Sequence, residues 1–171
     1  MKTTLAAIAL ASATVVSQAA SFTTLTLPTL NADIRTWTDG SVYVPLFPGT
    51  HTYNGVPFAL AVDAHSNTAY YTGANPAALD IAVGVYGVTT AYSLINSGYG
   101  AYGANVGPME LFGSGGAYYK VDLVEGTNVR DHYDGVFNNI IDGVNAVPWF
   151  NVGPGHSRLD QQIYNLPVAF A

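Results

Sequence analysis

Glycine, proline and asparagine recur about every ten residues from Ser21 onward, and no stretch between them keeps a helical period of useful length. A chain cut into such short pieces predicts strands joined by tight turns and packed as a sandwich or barrel. The segment Tyr53-Asn54-Gly55-Val56 is the sharpest local signal, because Asn-Gly accepts the positive φ angles of a type I′ hairpin. Beyond it Phe58, Leu60 and Val62 alternate with Ala59 and Ala61, which marks a strand with one heavier face. Residues 22–27 predict a first strand ahead of Pro28. Ile81, Val83 and Val85 predict another, and residues 92–95 a third. Residues 109–112, the loop Gly113-Ser114-Gly115-Gly116 and residues 117–124 predict a hairpin. In its second arm Tyr119, Val121 and Leu123 share one face while Tyr118, Lys120 and Asp122 share the other, as in a sheet buried on one side and wet on the other.

The 171 residues suit one domain, and 49% hydrophobic content is ample for a core. Only 9% of residues are charged, against roughly 25% in an ordinary soluble domain, so polarity must come from Thr, Asn, Ser, Tyr and Gly. The formal charge is −6, and beyond Lys2 the cations are Arg35, Lys120, Arg130 and Arg158. A surface so poor in cations has little with which to neutralise phosphates, which argues against nucleic acid and anionic membranes as partners.

Residues 1–20 read MKTTLAAIALASATVVSQAA, with one cation at Lys2, an apolar stretch over residues 5–16 and small residues at an A-x-A-like end. This is the pattern of a signal peptide; a membrane anchor needs about 20 apolar residues, more than this stretch offers. No later segment is long and apolar enough to span a bilayer, so no membrane span is expected in the mature chain. There is no cysteine, so export brings no disulfide.

Five stretches carry a resemblance: NADIRTWTDGS at residues 31–41, NGVPFAL at 54–60, VGVYGVTTAYSLINSGYG at 83–100, GSGGAYYKVDLVEGTNVRDHY at 113–133 and SRLDQQIYNLPVAFA at 157–171. Together they resemble bacterial secreted proteins of the PEP-CTERM type. Those carry a signal peptide, one jelly-roll β-sandwich similar to galactose-binding and discoidin-like modules, and often a C-terminal sorting tail. The resemblance implies a single jelly-roll-like antiparallel β-sandwich over residues 21–171 and, by analogy with such modules, a glycan ligand. In the family the LP-x-AF segment is followed by further strands and often the tail, whereas this sequence stops at Ala171, so a C-terminally truncated domain with an open sheet edge is expected unless the N-terminal strand fills it.

Chemistry-bearing residues are few. Arg130, Asp131, His132 and Asp134 cluster after the best strand, where a loop can present them to a ligand or cation; the ion-pair alternative, Arg130 with Asp160 or Asp33 pinning a loop, is preferred because such pairs are common. Asp131 and Asp134 are the candidate metal ligands, and calcium is the cation expected from the acidic loops and from similar sandwiches. Asp63 and His65 read as a solvated loop. Among the aromatics, Trp37, Tyr99, Tyr102, Tyr118 and Trp149 fall in or beside predicted loops or on the polar side of a strand. Flat amphipathic rings can stack on the apolar face of a sugar, or else pack under the loops. The carboxylates Asp122, Glu125, Asp131 and Asp134 are numerous enough for acid–base work. Nothing, however, fixes a pair across a cleft, and no G-x-S-x-G, H-E-x-x-H or P-loop pattern is present. The expectation is a secreted, non-catalytic module that binds extracellular polysaccharide or a surface glycan through Trp37, Tyr99, Tyr102, Trp149, Arg130 and Asp131. The alternative is a structural extracellular-matrix or cell-surface assembly protein that acts by self-association.

Overall fold

A computed structural model describes residues 20–73, 78–135, 137–167 and 170. The segment expected to be a signal peptide lies, up to residue 19, outside the described residues. The fold is all-β: seven antiparallel strands with short 3-10 turns and no α-helix among the described residues. The strands are β1 (Gly49–Tyr53), β2 (Val56–Leu60), β3 (Thr90–Leu94), β4 (Asn105–Phe112), β5 (Tyr118–Val124), β6 (Ala146–Asn151) and β7 (Arg158–Asn165). They form a β1–β2 hairpin, a β4–β5 hairpin and a three-stranded sheet ordered β3–β7–β6.

Turn chemistry sets both hairpins. Tyr53 pairs with Val56 across Asn54 and Gly55, whose φ angles of 48° and 78° are those of a type I′ turn. Between β4 and β5 the glycine-rich loop makes one 3-10 turn, Ser114–Gly116, with Gly115 and Gly116 at positive φ. Along β5 the expected alternation holds: Leu123 is buried, Tyr119 and Val121 are half-buried, and Tyr118, Lys120 and Asp122 are exposed.

Two expected strands do not form. Residues 81–86 carry no ladder because Gly84, at φ 60°, turns the chain out of the extended conformation inside the run, and Val83 and Tyr86 are exposed. Residues 22–27 pair with no strand; Phe22, Leu25 and Leu27 stay exposed, and Phe22 only tilts against Tyr92. This segment therefore does not fill a sheet edge, and β3 and β6 remain the outer strands of their sheet.

The central strand β7 is polar yet buried. Arg158, Asp160, Gln161 and Gln162 are all nearly inaccessible to solvent, beside Glu125, Asp131 and Ser157 from the loops around them. Apolar packing is supplied by Tyr43, Val129, Ala146, Trp149 and Tyr164. Tyr43 joins the two kinds of interior, donating its hydroxyl to the Arg158 carbonyl at 2.7 Å while its ring tilts against Phe150. Burial pushes the Tyr43 phenol well above its ordinary pKa and raises that of Tyr164 to about 12, so both remain neutral. A buried polar strand is tolerable only where its groups are paired, and the pairs define the loop system beside β3 and β7.

Candidate functional site

Arg130 and Arg158 organise the loop that follows β5. Arg130 forms a two-pronged pair with Asp160, Nε to Oδ2 and Nη2 to Oδ1, each at 2.7 Å, and its Nη1 donates to the Asn139 carbonyl at 3.1 Å. The preferred sequence reading is thus realised with Asp160, not with Asp33, which instead holds Arg35. Arg130 lies in the interior as a brace, out of reach of a ligand. Arg158 gathers the same loop: Nε donates to the Asp131 carbonyl, Nη2 to the Asn138 carbonyl and to Asn139 Oδ1, and Nη1 pairs with Asp134 at 3.1 Å.

Asp131 then links that loop to the segment after β3. Ser97 and Asp131 form an isolated parallel bridge, in which Ser97 N–H donates to the Arg130 carbonyl and His132 N–H to the Ser97 carbonyl. The buried Asp131 carboxylate accepts from Tyr99 N–H at 2.6 Å on one oxygen and from Tyr133 N–H at 2.7 Å on the other. Tyr99 is held in the left-handed region at φ 57°, which disfavours a bulky non-glycine residue. The residue is nonetheless 77% exposed, its ring edge-on to Phe137 with centroids 5.0 Å apart.

The result is a cleft of about 110 Å³ lined by Thr38, Tyr99, Asp131, His132, Tyr133 and Phe137. Trp37 supports it from behind, edge-on to His132 at 5.2 Å and to Tyr71 at 5.2 Å. Trp37 is positioned by two consecutive 3-10 turns, Ile34–Thr36 and Gly40–Leu46. Gly40 lets them pack closely, since a Cβ there would lie 2.2 Å from the Ile34 carbonyl oxygen. Ser157 Oγ donates to the Thr38 carbonyl at 2.6 Å, and His156 hydrogen-bonds Asp39, so the rim is tied to the start of β7. Burial lowers the His132 pKa below its ordinary value, against the pull of Asp131, which keeps the imidazole neutral near pH 7. Its Nδ1 is buried without a hydrogen-bond partner.

Of the residues expected from sequence to act together, Tyr99 and Asp131 line this cleft and Trp37 backs it. Tyr102 is exposed on the same loop but outside the lining, its ring lying over Gly126. Trp149 is not a surface aromatic: it is 8% exposed on β6 and packs edge-on to His51 and Phe58. Tyr118 hydrogen-bonds Glu110 at 2.5 Å and pairs with Phe112 on the far hairpin. Asp63 closes a local turn by accepting from His65 N–H and Asn67 N–H.

Asp131 and Asp134 are poorly set to ligate calcium. Both oxygens of Asp131 accept backbone N–H groups, and those of Asp134 meet Arg158 and Asn151, so donors point at the lone pairs a cation would use. Among the described residues no group of three or more His, Asp or Glu side chains is placed to hold a metal ion. Asp122 pairs with exposed Lys120, and Glu125 is buried with one oxygen accepting from Asn138.

Sequence reasoning missed Thr38, Tyr133, Phe137 and Arg158. Arg158 carried a signal of a kind: in a chain with so few cations, an arginine inside a stretch rich in Gln and Tyr has little reason to be a solvating residue. A second cavity, about 200 Å³, lies between β5 and β7 and is lined by Tyr119, Val121, Asn128, Asn145, Gln162, Ile163 and Tyr164. The Asn128 amide in it is spent on Val124 N–H and the Asp122 carbonyl, and the Asn145 amide on Asp142. No known protein family, curated protein or solved structure matches the chain. The functional reading therefore rests on the residues of the cleft.

Proposed function

We propose that this chain is a secreted, non-catalytic module of jelly-roll type that binds an extracellular polysaccharide or surface glycan in the Tyr99–His132 cleft. The observation that carries the reading is Tyr99 itself. A large aromatic side chain held at positive φ, fixed by a buried carboxylate and left open to solvent is a preorganised stacking surface, and rigid aromatics bind at low entropic cost. Hydroxyls on Thr38, Tyr99 and Tyr133 supply the polar contacts a sugar needs at its edge. The signal-like residues 1–20 and the low charge agree with an exported protein.

A glycan array probed with the purified chain tests this, with size-exclusion chromatography on the same sample. Saturable binding by a monomer, lost in Tyr99→Ala and weakened in Trp37→Ala, is the expected result. The second reading, a matrix or cell-surface assembly protein, draws on the β4–β5 hairpin, a two-stranded sheet that exposes the Phe112–Tyr118 pair. Large assemblies with a silent array would favour it. No helix among the described residues is long and apolar enough to cross a membrane.

A further inference from the structure

We propose that the Tyr99–His132 cleft selects uncharged sugar rings and rejects those that carry a carboxylate, an inference that rests on the glycan reading and narrows it. Every lysine and arginine among the described residues is committed to a carboxylate: Arg35 to Asp33, Lys120 to Asp122, Arg130 to Asp160 and Arg158 to Asp134. None of the four lines the cleft, whereas Asp131 does. The loop system around it sets the two guanidinium groups of Arg130 and Arg158 against three aspartates, Asp131, Asp134 and Asp160. A uronic acid seated on Tyr99 would bring its carboxylate toward Asp131 with no cation to receive it, and juxtaposed like charges are a strong discriminator. A neutral ring meets no such penalty and can use its apolar face on Tyr99 and its hydroxyls on Thr38 and Tyr133. At about 110 Å³ the cleft falls well below the roughly 300 Å³ of a drug-sized pocket, so it holds a single ring of the chain.

The test is a binding series with galacto-, gluco- and manno-oligosaccharides beside their C6-oxidised counterparts, run on the full chain and on Tyr99→Ala and Thr38→Lys, with melting curves to confirm folding. The neutral member of the preferred pair is expected to bind about tenfold more tightly than its oxidised partner at low salt, with the gap narrowing as salt rises. Thr38→Lys, an exposed rim position, is expected to strengthen binding of the oxidised partner by about two- to fivefold, the scale of an exposed ion pair. Equal or tighter binding of the oxidised member that still depends on Tyr99 would overturn the selectivity and leave the glycan reading standing. Silence across both series, or binding indifferent to Tyr99→Ala in a folded protein, would overturn the glycan reading and this inference with it.

Discussion

Replacing Arg130 by methionine should expose how much of this fold depends on its buried charges. The guanidinium is almost wholly enclosed, and its partner Asp160 is 0% exposed with one prong on each carboxylate oxygen. Methionine keeps the length and apolar stem while removing both prongs, so among the described residues Asp160 is left as a buried anion with only the Asn96 amide, 2.7 Å away, donating to its carboxylate. Leaving one member of a buried pair uncompensated costs about 3–5 kcal/mol. In a domain of this length that corresponds to a fall in Tm of about 6–20 °C. Urea denaturation of the wild type, Arg130→Met, Asp160→Asn and the double variant completes the cycle. The double variant should recover much of the loss, because no charge is then stranded, and the coupling between the sites should exceed about 1 kcal/mol. A loss under about 1 kcal/mol in Arg130→Met, with additive single effects, would mean that the pair is solvated and that the interior is not organised as described.

Three further outcomes follow from the same geometry. Gly100→Ala should cost about 1–3 kcal/mol of stability, seen as a lower urea midpoint, because a Cβ there would fall 2.0 Å from Oε1 of the buried Glu125 side chain. Stability should decline as pH falls below 6.5, the ordinary value for histidine. Burial holds the folded His132 below that value, so the unfolded chain binds the extra proton and gains. Asp142 adds a second loss below pH 3.8: burial pushes its carboxyl up, but the N–H groups of Val144, Ala146 and Asn145 outweigh this and keep it ionised in the fold. Melting scans from pH 7 to pH 3 read both, and a Tm that rises on acidification would contradict them. Millimolar calcium or chelator should leave the Tm unchanged, since the oxygens of Asp131 and Asp134 already accept from protein donors.

The sequence was legible where local chemistry decides the outcome. Asn54-Gly55 determines a turn within four residues, and the alternation along β5 is an ordinary one-sided pattern, so both emerge in the fold. Apolar alternation misled at Ile81, Val83 and Val85 because a glycine between them adopts φ 60° and removes the strand that the side chains alone would support. Strand β7 was illegible for the opposite reason. Arg158, Asp160, Gln161 and Gln162 show none of the apolar periodicity that marks a central strand, yet they are buried: partners distant in sequence satisfy Arg158, Asp160 and Gln162, while Gln161 Oε1 is enclosed without a hydrogen-bond partner. Asn96 and Asp160 are 64 residues apart in sequence, Tyr43 and Arg158 115, and no local window contains such pairings.

The same distance effect explains what was visible of the site. Asp131 stood out as part of a charged cluster, and its plausible tasks were to meet a ligand or a cation. In the fold its two oxygens accept the backbone N–H groups of Tyr99 and Tyr133, so the carboxylate fixes the backbone from which both rings project. Tyr99 is open to solvent in the cleft it helps form, and its backbone is the one under constraint there. A loop stabilised only for its own sake would relieve that constraint with glycine, which adopts positive φ freely and already flanks Tyr99 on both sides as Gly98 and Gly100. That an aromatic side chain occupies the strained position, braced by a buried carboxylate and open to solvent, is what favours contact with a ligand over simple packing beneath a loop.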